Sequence, residues 1–258
     1  MITVAVIDTG VDIYHNKLYK YINLNLSKSF VDESLTDKNG HGTAITGIIL
    51  YNEKFKESLK NVQLVICKIT NQLTFEVEKF IEALEYAISI GVHIINLSLS
   101  IKIYNATQRQ MDQIKVLIQN AYNKNIIVVV STGNQDHENN IFYKLKDFLY
   151  PIIAKDVKGN IASYSKSLSN SYAMFGGDIE SIGDSINIEK HLAFSTFPMY
   201  LENSYFNYFG VKRGYSYFWG TSIATAKFTH IVINALQINN DLPISISSKL
   251  KKYIHKPD

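Results

Sequence analysis

Apolar residues in this chain recur in two patterns. Residues 2–7 (ITVAVI), 62–69 (VQLVICKI), 92–100 (VHIINLSLS) and 126–130 (IIVVV) are short runs that are apolar at most positions. Such runs predict strands buried on both faces. Between them, apolar residues return every three or four positions, as one buried helix face requires. This spacing predicts a helix over 76–90, with Phe80, Ile81, Leu84, Ala87 and Ile88 inward, and another over 108–123, with Met111, Ile114, Leu117, Ile118 and Ala121 inward. Glu76 and Glu78 suit the positive end of the first helix, and Gly91 is a stop signal after it. Two further helices begin at His41 (Ala44, Ile45, Ile48, Ile49) and at Thr221 (Phe228, Ile231, Val232, Ala235, Leu236), and residues 244–253 predict a last amphipathic helix with a basic end. Strands alternating with helices predict an α/β fold: one domain over residues 1–258, with a mainly parallel central sheet and helices on both faces.

The remaining segments are polar. Residues 25–38, with Asp32, Glu33 and Asp37, read as a loop, and residues 135–148 as irregular. Residues 166–218 are rich in Ser, Asn, Gly and aromatics and read as short strands and loops. No repeat is evident.

Three polar groups sit at the ends of these elements. Asp8-Thr9-Gly10 closes the first apolar run, where open α/β sheets place their sites. His41 lies between Gly40 and Gly42 at the start of a helix. Thr221 and Ser222 follow Gly220 at the start of another. Taken singly, each has a plain reading: a turn aspartate, a capping or core histidine, an N-cap serine. Taken together they form an acid, a base and a hydroxyl. A hydroxyl at a helix N-terminus lies near unpaired N–H groups that can also stabilise an oxyanion. The order Asp, His, Ser is that of subtilisin, distinct from those of chymotrypsin and the α/β-hydrolases.

Composition narrows the classes. The chain is 46% hydrophobic and 19% charged, as a globular protein is. A net charge of +3 gives no reason to expect nucleic acid as a partner. Cys67 is the only cysteine, so no intrachain disulfide can form; it reads as a small buried hydrophobe, and no histidine stands beside it in sequence to make it a nucleophile. No apolar run approaches 18 residues, so no membrane partner is expected. No P-loop, dinucleotide fingerprint, CxxC pair or HExxH motif occurs, so no cofactor and no metal are expected. Residues 1–3 lead straight into the first strand without a signal-peptide pattern. That predicts a cytoplasmic protein, or a secreted one if a leader and pro-segment lie outside this sequence. A monomer is expected.

The three motifs resemble the Asp, His and Ser boxes of the subtilisin-family (subtilase) serine peptidases, and a weaker similarity runs from about Ile2 to about Leu236. The resemblance implies that Ser222 is the nucleophile, His41 the general base and Asp8 its orienting acid. It also implies that Asn134, in Ser131-Thr132-Gly133-Asn134, is the side-chain donor to the oxyanion. Ser98, Leu99 and Ser100 would pair with an extended peptide and form one wall of the pocket for P1, the residue before the cut. Ser131, Thr132 and Gly133 would form the other wall. Residues 135–148 would line its floor, where Asp136, Glu138 or Asp147 could favour a basic or polar P1 residue, and Leu145 and Phe148 an apolar one. His15 is expected to be structural. The chain departs from the family at Ala44, at Ser100 where glycine is usual, and at Ala226 where proline is usual. Low Gly and Pro, high Lys, Asn and Ile, and no pro-segment in the sequence resemble the intracellular peptidases that remove leader peptides from lantibiotic precursors in Gram-positive bacteria. The expected partner is therefore a peptide or precursor-peptide substrate. A housekeeping intracellular subtilisin, and an idle pseudo-peptidase that only binds peptides, are the alternatives.

Overall fold

The computed structural model describes residues 1–51, 59–72, 74–135, 137–182, 188–203, 210–238, 250–251 and 254–255. The helix expected over 244–253 lies largely outside the described residues.

Seven parallel strands form the central sheet: β1 (Ile2–Asp8), β2 (Lys28–Ser29), β3 (Val62–Lys68), β4 (Ile94–Leu97), β5 (Ile127–Ser131), β6 (Tyr150–Lys155) and β7 (Tyr172–Phe175), in spatial order β2-β3-β1-β4-β5-β6-β7. Strands alternate their side chains between two faces, and both faces are covered. Val4, Val6, Leu64, Ile66, Ile94 and Val129 enter one core with α1 (His41–Leu50) and α6 (Thr221–Ile238). Ala5, Ile7, Val65, Cys67, Ile95, Leu97, Val128 and Val130 enter the other with α2 (Val77–Ser89) and α3 (Gln108–Asn123). This two-sided burial is why the strands read as nearly unbroken apolar runs. Each fully buried aliphatic side chain contributes about 1.5–3 kcal/mol. The fold class agrees with the expectation from sequence.

The differences lie in the polar stretches. The 92–100 run is strand only to Leu97, so Ser98, Leu99 and Ser100 leave the sheet. Within 25–38 a two-residue strand, β2, adds to the edge of β3. Residues 135–148 are more ordered than their polarity predicts: a turn at His137–Asn139 leads into the short helix α4 (Ile141–Lys144), capped by Asn140 Oδ1 accepting from Phe142 N. β6 and β7 extend the parallel sheet. Beyond the short helix α5 (Ile188–His191), β8 (Ala193–Thr196) and β9 (Tyr215–Phe218) form a separate antiparallel pair. Ser195 and Thr196 anchor that pair on α1, donating to Ala44 O and Thr43 O at 2.7 Å each. Among the described residues no helix is long and apolar enough to cross a membrane.

Candidate active site

The parallel order delivers the carboxyl ends of β1, β4 and β5 to one edge of the sheet, and the N-termini of α1 and α6 meet them there. Asp8 ends β1 and is 4% exposed. Its Oδ1 accepts from Thr9 N at 2.8 Å and from His41 Nδ1–H at 2.7 Å. The Asp8 Oδ2 is buried without a partner among the described residues. An imidazolium at His41 would offset the cost of that buried charge.

His41 opens α1 on the N-cap Gly40, and the entry is locked by Asp37, from the 25–38 stretch whose polarity predicts a loop. Asp37 Oδ1 accepts from Gly40 N (2.8 Å), Asn39 N (3.0 Å) and Thr9 Oγ1 (2.8 Å), and Asp37 Oδ2 from Thr43 N (2.8 Å) and Thr43 Oγ1 (2.7 Å). Thr9 Oγ1 in turn accepts from Gly42 N at 2.8 Å. A Cβ on Gly42 would sit 2.1 Å from Gly10 O, so only glycine lets α1 lie this close to the end of β1. Burial opposes charge on the His41 imidazole, but the Asp8 carboxylate, its hydrogen bond and the charge of Asp37 more than offset it. The net effect raises the His41 pKa above its ordinary value. The imidazole nonetheless keeps 26% of its surface exposed.

Ser222 lies in the first turn of α6. It does not cap the helix: Ser222 Oγ donates to Ser98 O at 2.9 Å, and Ser98 Oγ returns a bond to Ser222 O at 3.0 Å. Asn96 Nδ2 donates to Ser98 Oγ (3.0 Å), while Asn96 Oδ1 accepts from Thr229 Oγ1 (2.8 Å). A buried polar relay thus ties β4 to α6 behind the hydroxyl. In this geometry the hydrogen bond from Ser222 Oγ goes to Ser98 O, and Ser222 and His41 line the same cavity.

Gly220, at φ 136°, turns the chain into α6; a Cβ there would lie 3.3 Å from Asn134 Nδ2. Asn134 Oδ1 accepts from both Thr221 N (2.9 Å) and Thr221 Oγ1 (2.8 Å). Two donors on one side fix the amide orientation and leave Nδ2 to donate elsewhere. Ser131 Oγ lies 2.7 Å from Thr221 Oγ1 and accepts from Gly133 N at 3.1 Å, so the Ser131-Thr132-Gly133-Asn134 segment and the helix start form one network. Thr221 carries this network, and its identity in Gly-Thr-Ser was the available signal.

Asp8, His41, Ser222, Asn134, Ser98, Leu99, Ser100, Ser131 and Gly133 all line one cavity of about 290 Å³, with Thr70, Phe75 and Trp219 among its other walls. Thr132 does not line it: the residue is buried, and its Oγ1 donates to Ile152 O at 3.0 Å. Glu138 and Asp147 also stay outside. Both are exposed, and Glu138 pairs with Lys166. Asp136 lies outside the described residues. Leu145 and Phe148 pack into the α2–α3 core instead of the cavity. Ser100 keeps its side chain beside Gly133, where a Cβ would meet Ser100 Oγ at 3.3 Å. Ala44 and Ala226 are buried in their helices. His15 is fully buried, donating to Gly214 O at 2.9 Å, and burial lowers its pKa. Burial pushes the Cys67 thiol up to about 12, where it is inert. Among the described residues no cluster of His, Cys, Asp and Glu could hold a metal ion.

An alkaline protease from Alkalihalobacillus alcalophilus is 25% identical over 202 residues, covering 76% of this chain and 48% of that protein. The major intracellular serine protease of Bacillus subtilis (strain 168) is 28% identical over 143 residues, covering 52% of this chain and 43% of that protein. The chain thus spans about half the length of these curated relatives. Among solved structures, a lanthipeptide protease superposes with a TM-score of 0.76 at 19% identity, covering 94% of this chain and 76% of that one. The nisin leader peptidase NisP from Lactococcus lactis gives 0.74 at 20%, covering 97% and 81%. The peptidase S8 profile, described as the subtilase family, matches residues 1–254, and the chain belongs to that family.

Proposed function

We propose that this chain is a serine endopeptidase that removes the leader from a lantibiotic-type precursor peptide. The observation that carries the catalytic part is the 2.7 Å bond from His41 to Asp8 at a cavity that also holds Ser222 and Asn134. In this reading Ser222 attacks the scissile carbonyl and His41 takes its proton, then returns it to the leaving amine. Asp8 holds the imidazole tautomer with Nε2 open. Asn134 Nδ2 and the Ser222 backbone N–H receive the oxyanion. The Ser98–Ser100 segment and the Ser131 and Gly133 wall flank the acyl half of the peptide, which would add as a strand. Glu138 and Asp147 lie outside the cavity among the described residues, which supports P1 selection by shape and backbone polarity rather than by either of these acids.

The leader-peptide part rests on the company the fold keeps: a lanthipeptide protease, the nisin leader peptidase and the epidermin leader-processing protease of Staphylococcus aureus share it. The similarity to an intracellular serine protease of Bacillus subtilis favours general proteolysis as the second reading. Incubation with a leader-bearing lanthipeptide precursor and, separately, with casein separates the two. One cut at the leader junction with casein left intact is expected; rapid casein digestion with many cuts in the precursor would favour the second reading.

The pH profile follows from the Asp8–His41 pair. His41 must be neutral to accept the proton, and its pKa lies above the ordinary 6.5 or so. The acid limb of kcat/KM is therefore expected above pH 6.5, and a limb at or below that value would contradict the pairing. Stability runs the other way. The pair contributes fully below the unfolded-state value of about 6.5, and that contribution is lost as pH rises through the folded-state value.

A further inference from the structure

Lys68 ends β3 beside Asp8, its partner in the parallel ladder, and is 0% exposed. A buried ammonium is costly unless it is well paired. Here Nζ has four oxygens around it: Asp32 Oδ1 and Oδ2 at 3.0 Å each, Ser34 O at 3.0 Å and Thr36 O at 2.9 Å. A carboxylate with both oxygens turned in, together with main-chain carbonyls, is the donor set of a hard cation such as calcium. The Lys68 ammonium fills that cage from within the chain.

The cage holds the segment that organises the base. Leu35 O accepts from Val11 N at 2.9 Å, which straps the same loop over the end of β1. Thr36 leads directly to Asp37, whose carboxylate locks Thr9, Gly40 and Thr43 around His41. Asp32 is gripped from outside as well, by Asn71 Nδ2 (3.2 Å), Ser29 Oγ (3.0 Å) and the exposed Lys38 (3.3 Å). Burial would raise the Asp32 pKa, but the Lys68 ammonium and these donors outweigh it and hold the carboxyl well below its usual range. The anion is therefore present wherever the enzyme works.

We propose that Lys68 is a positioning residue whose ammonium acts as a tethered cation, ordering residues 32–37 and through Asp37 seating His41 against Asp8. The inference rests on the reading of Ser222 and His41 as nucleophile and base. Three substitutions separate a cation from mere packing. Lys68→Ala empties the cage, Lys68→Met fills it with an apolar stem of similar length, and Asp32→Asn removes the anion at a partly exposed position.

The readout is the rate at which a fluorophosphonate labels the protein, which reports nucleophile and base without a peptide-binding step. Misplacing the base should slow both Lys68 variants by about 10²-fold. Methylammonium chloride should restore most of the rate to Lys68→Ala but not to Lys68→Met, whose cage is occupied. Tetramethylammonium chloride at equal ionic strength, with no N–H to donate, should restore neither. If Lys68→Ala does not fold, Asp32→Asn carries the test: slowed labelling that methylammonium leaves unchanged is expected, and a wild-type rate overturns the proposal. Lys68→Ala labelled at the wild-type rate, or rescued equally by both salts, overturns it too. An unlabelled wild type would instead remove the catalytic reading itself.

Discussion

Ser222→Ala is expected to leave a folded protein and to lower kcat by roughly 10⁶-fold, a figure taken from the corresponding serine of subtilisin. The hydrogen-bonding of Ser222 makes the prediction discriminating. Its hydroxyl donates outward to Ser98 O and caps nothing, so a structural account allows only the loss of one bond, about 1 kcal/mol. Thermal unfolding should therefore shift little while turnover disappears. A variant that melts far below the parent but cleaves peptides at a tenth of its rate would place Ser222 in the scaffold. It would leave the cavity without a nucleophile.

The second large effect is expected at Asn134. Removing its side-chain donor with Asn134→Ala should lower kcat roughly 10²–10³-fold with KM nearly unchanged, because the donor meets charge that exists only in the transition state. The magnitude is again subtilisin's. The alternative account is specific: Asn134 Oδ1 accepts from Thr221 twice, so the residue could serve only to latch the start of α6. A latch without catalytic function predicts a fall in melting temperature and a rise in KM as Ser222 loses its seat, with kcat preserved once substrate saturates. Steady-state kinetics on the variant, read beside its unfolding curve, decides between them.

Much of this arrangement was legible in the chain because its causes are local. Val4 to Ile7 are apolar at every position because both faces of β1 are covered, and that one fact predicts strand, parallel sheet and flanking helices together. Asp8, His41 and Ser222 stand at element ends, where residue type and flanking glycines are visible in sequence. Thr221 and Asp37 were harder: their residue types at helix starts are visible, but the bonds to Asn134 and Thr9 join positions far apart in the chain, which local sequence does not record. Lys68 is a polar position inside an apolar run, and the partners that make its burial tolerable come from the distant 32–36 loop. The pocket floor was misjudged for a related reason. Polarity in residues 135–148 comes from exposed acids such as Glu138 and Asp147, while the ordered part, α4 with Ile141 and Phe142, faces the α2–α3 core. Thr132 shows the limit of treating a motif as a surface: in Ser131-Thr132-Gly133-Asn134 alternate side chains diverge, and its own bonds to Ile152 in the neighbouring strand.

The central claim, that Ser222 is an activated nucleophile with His41 as its base, is tested most directly by covalent labelling. The protein is treated with a fluorophosphonate, digested and mapped by mass spectrometry, alongside a His41→Ala variant. The account predicts one phosphonylated site, Ser222, in the parent protein and almost none in the variant. Absence of label from the parent, label on another residue, or equal labelling of the His41→Ala protein would contradict it.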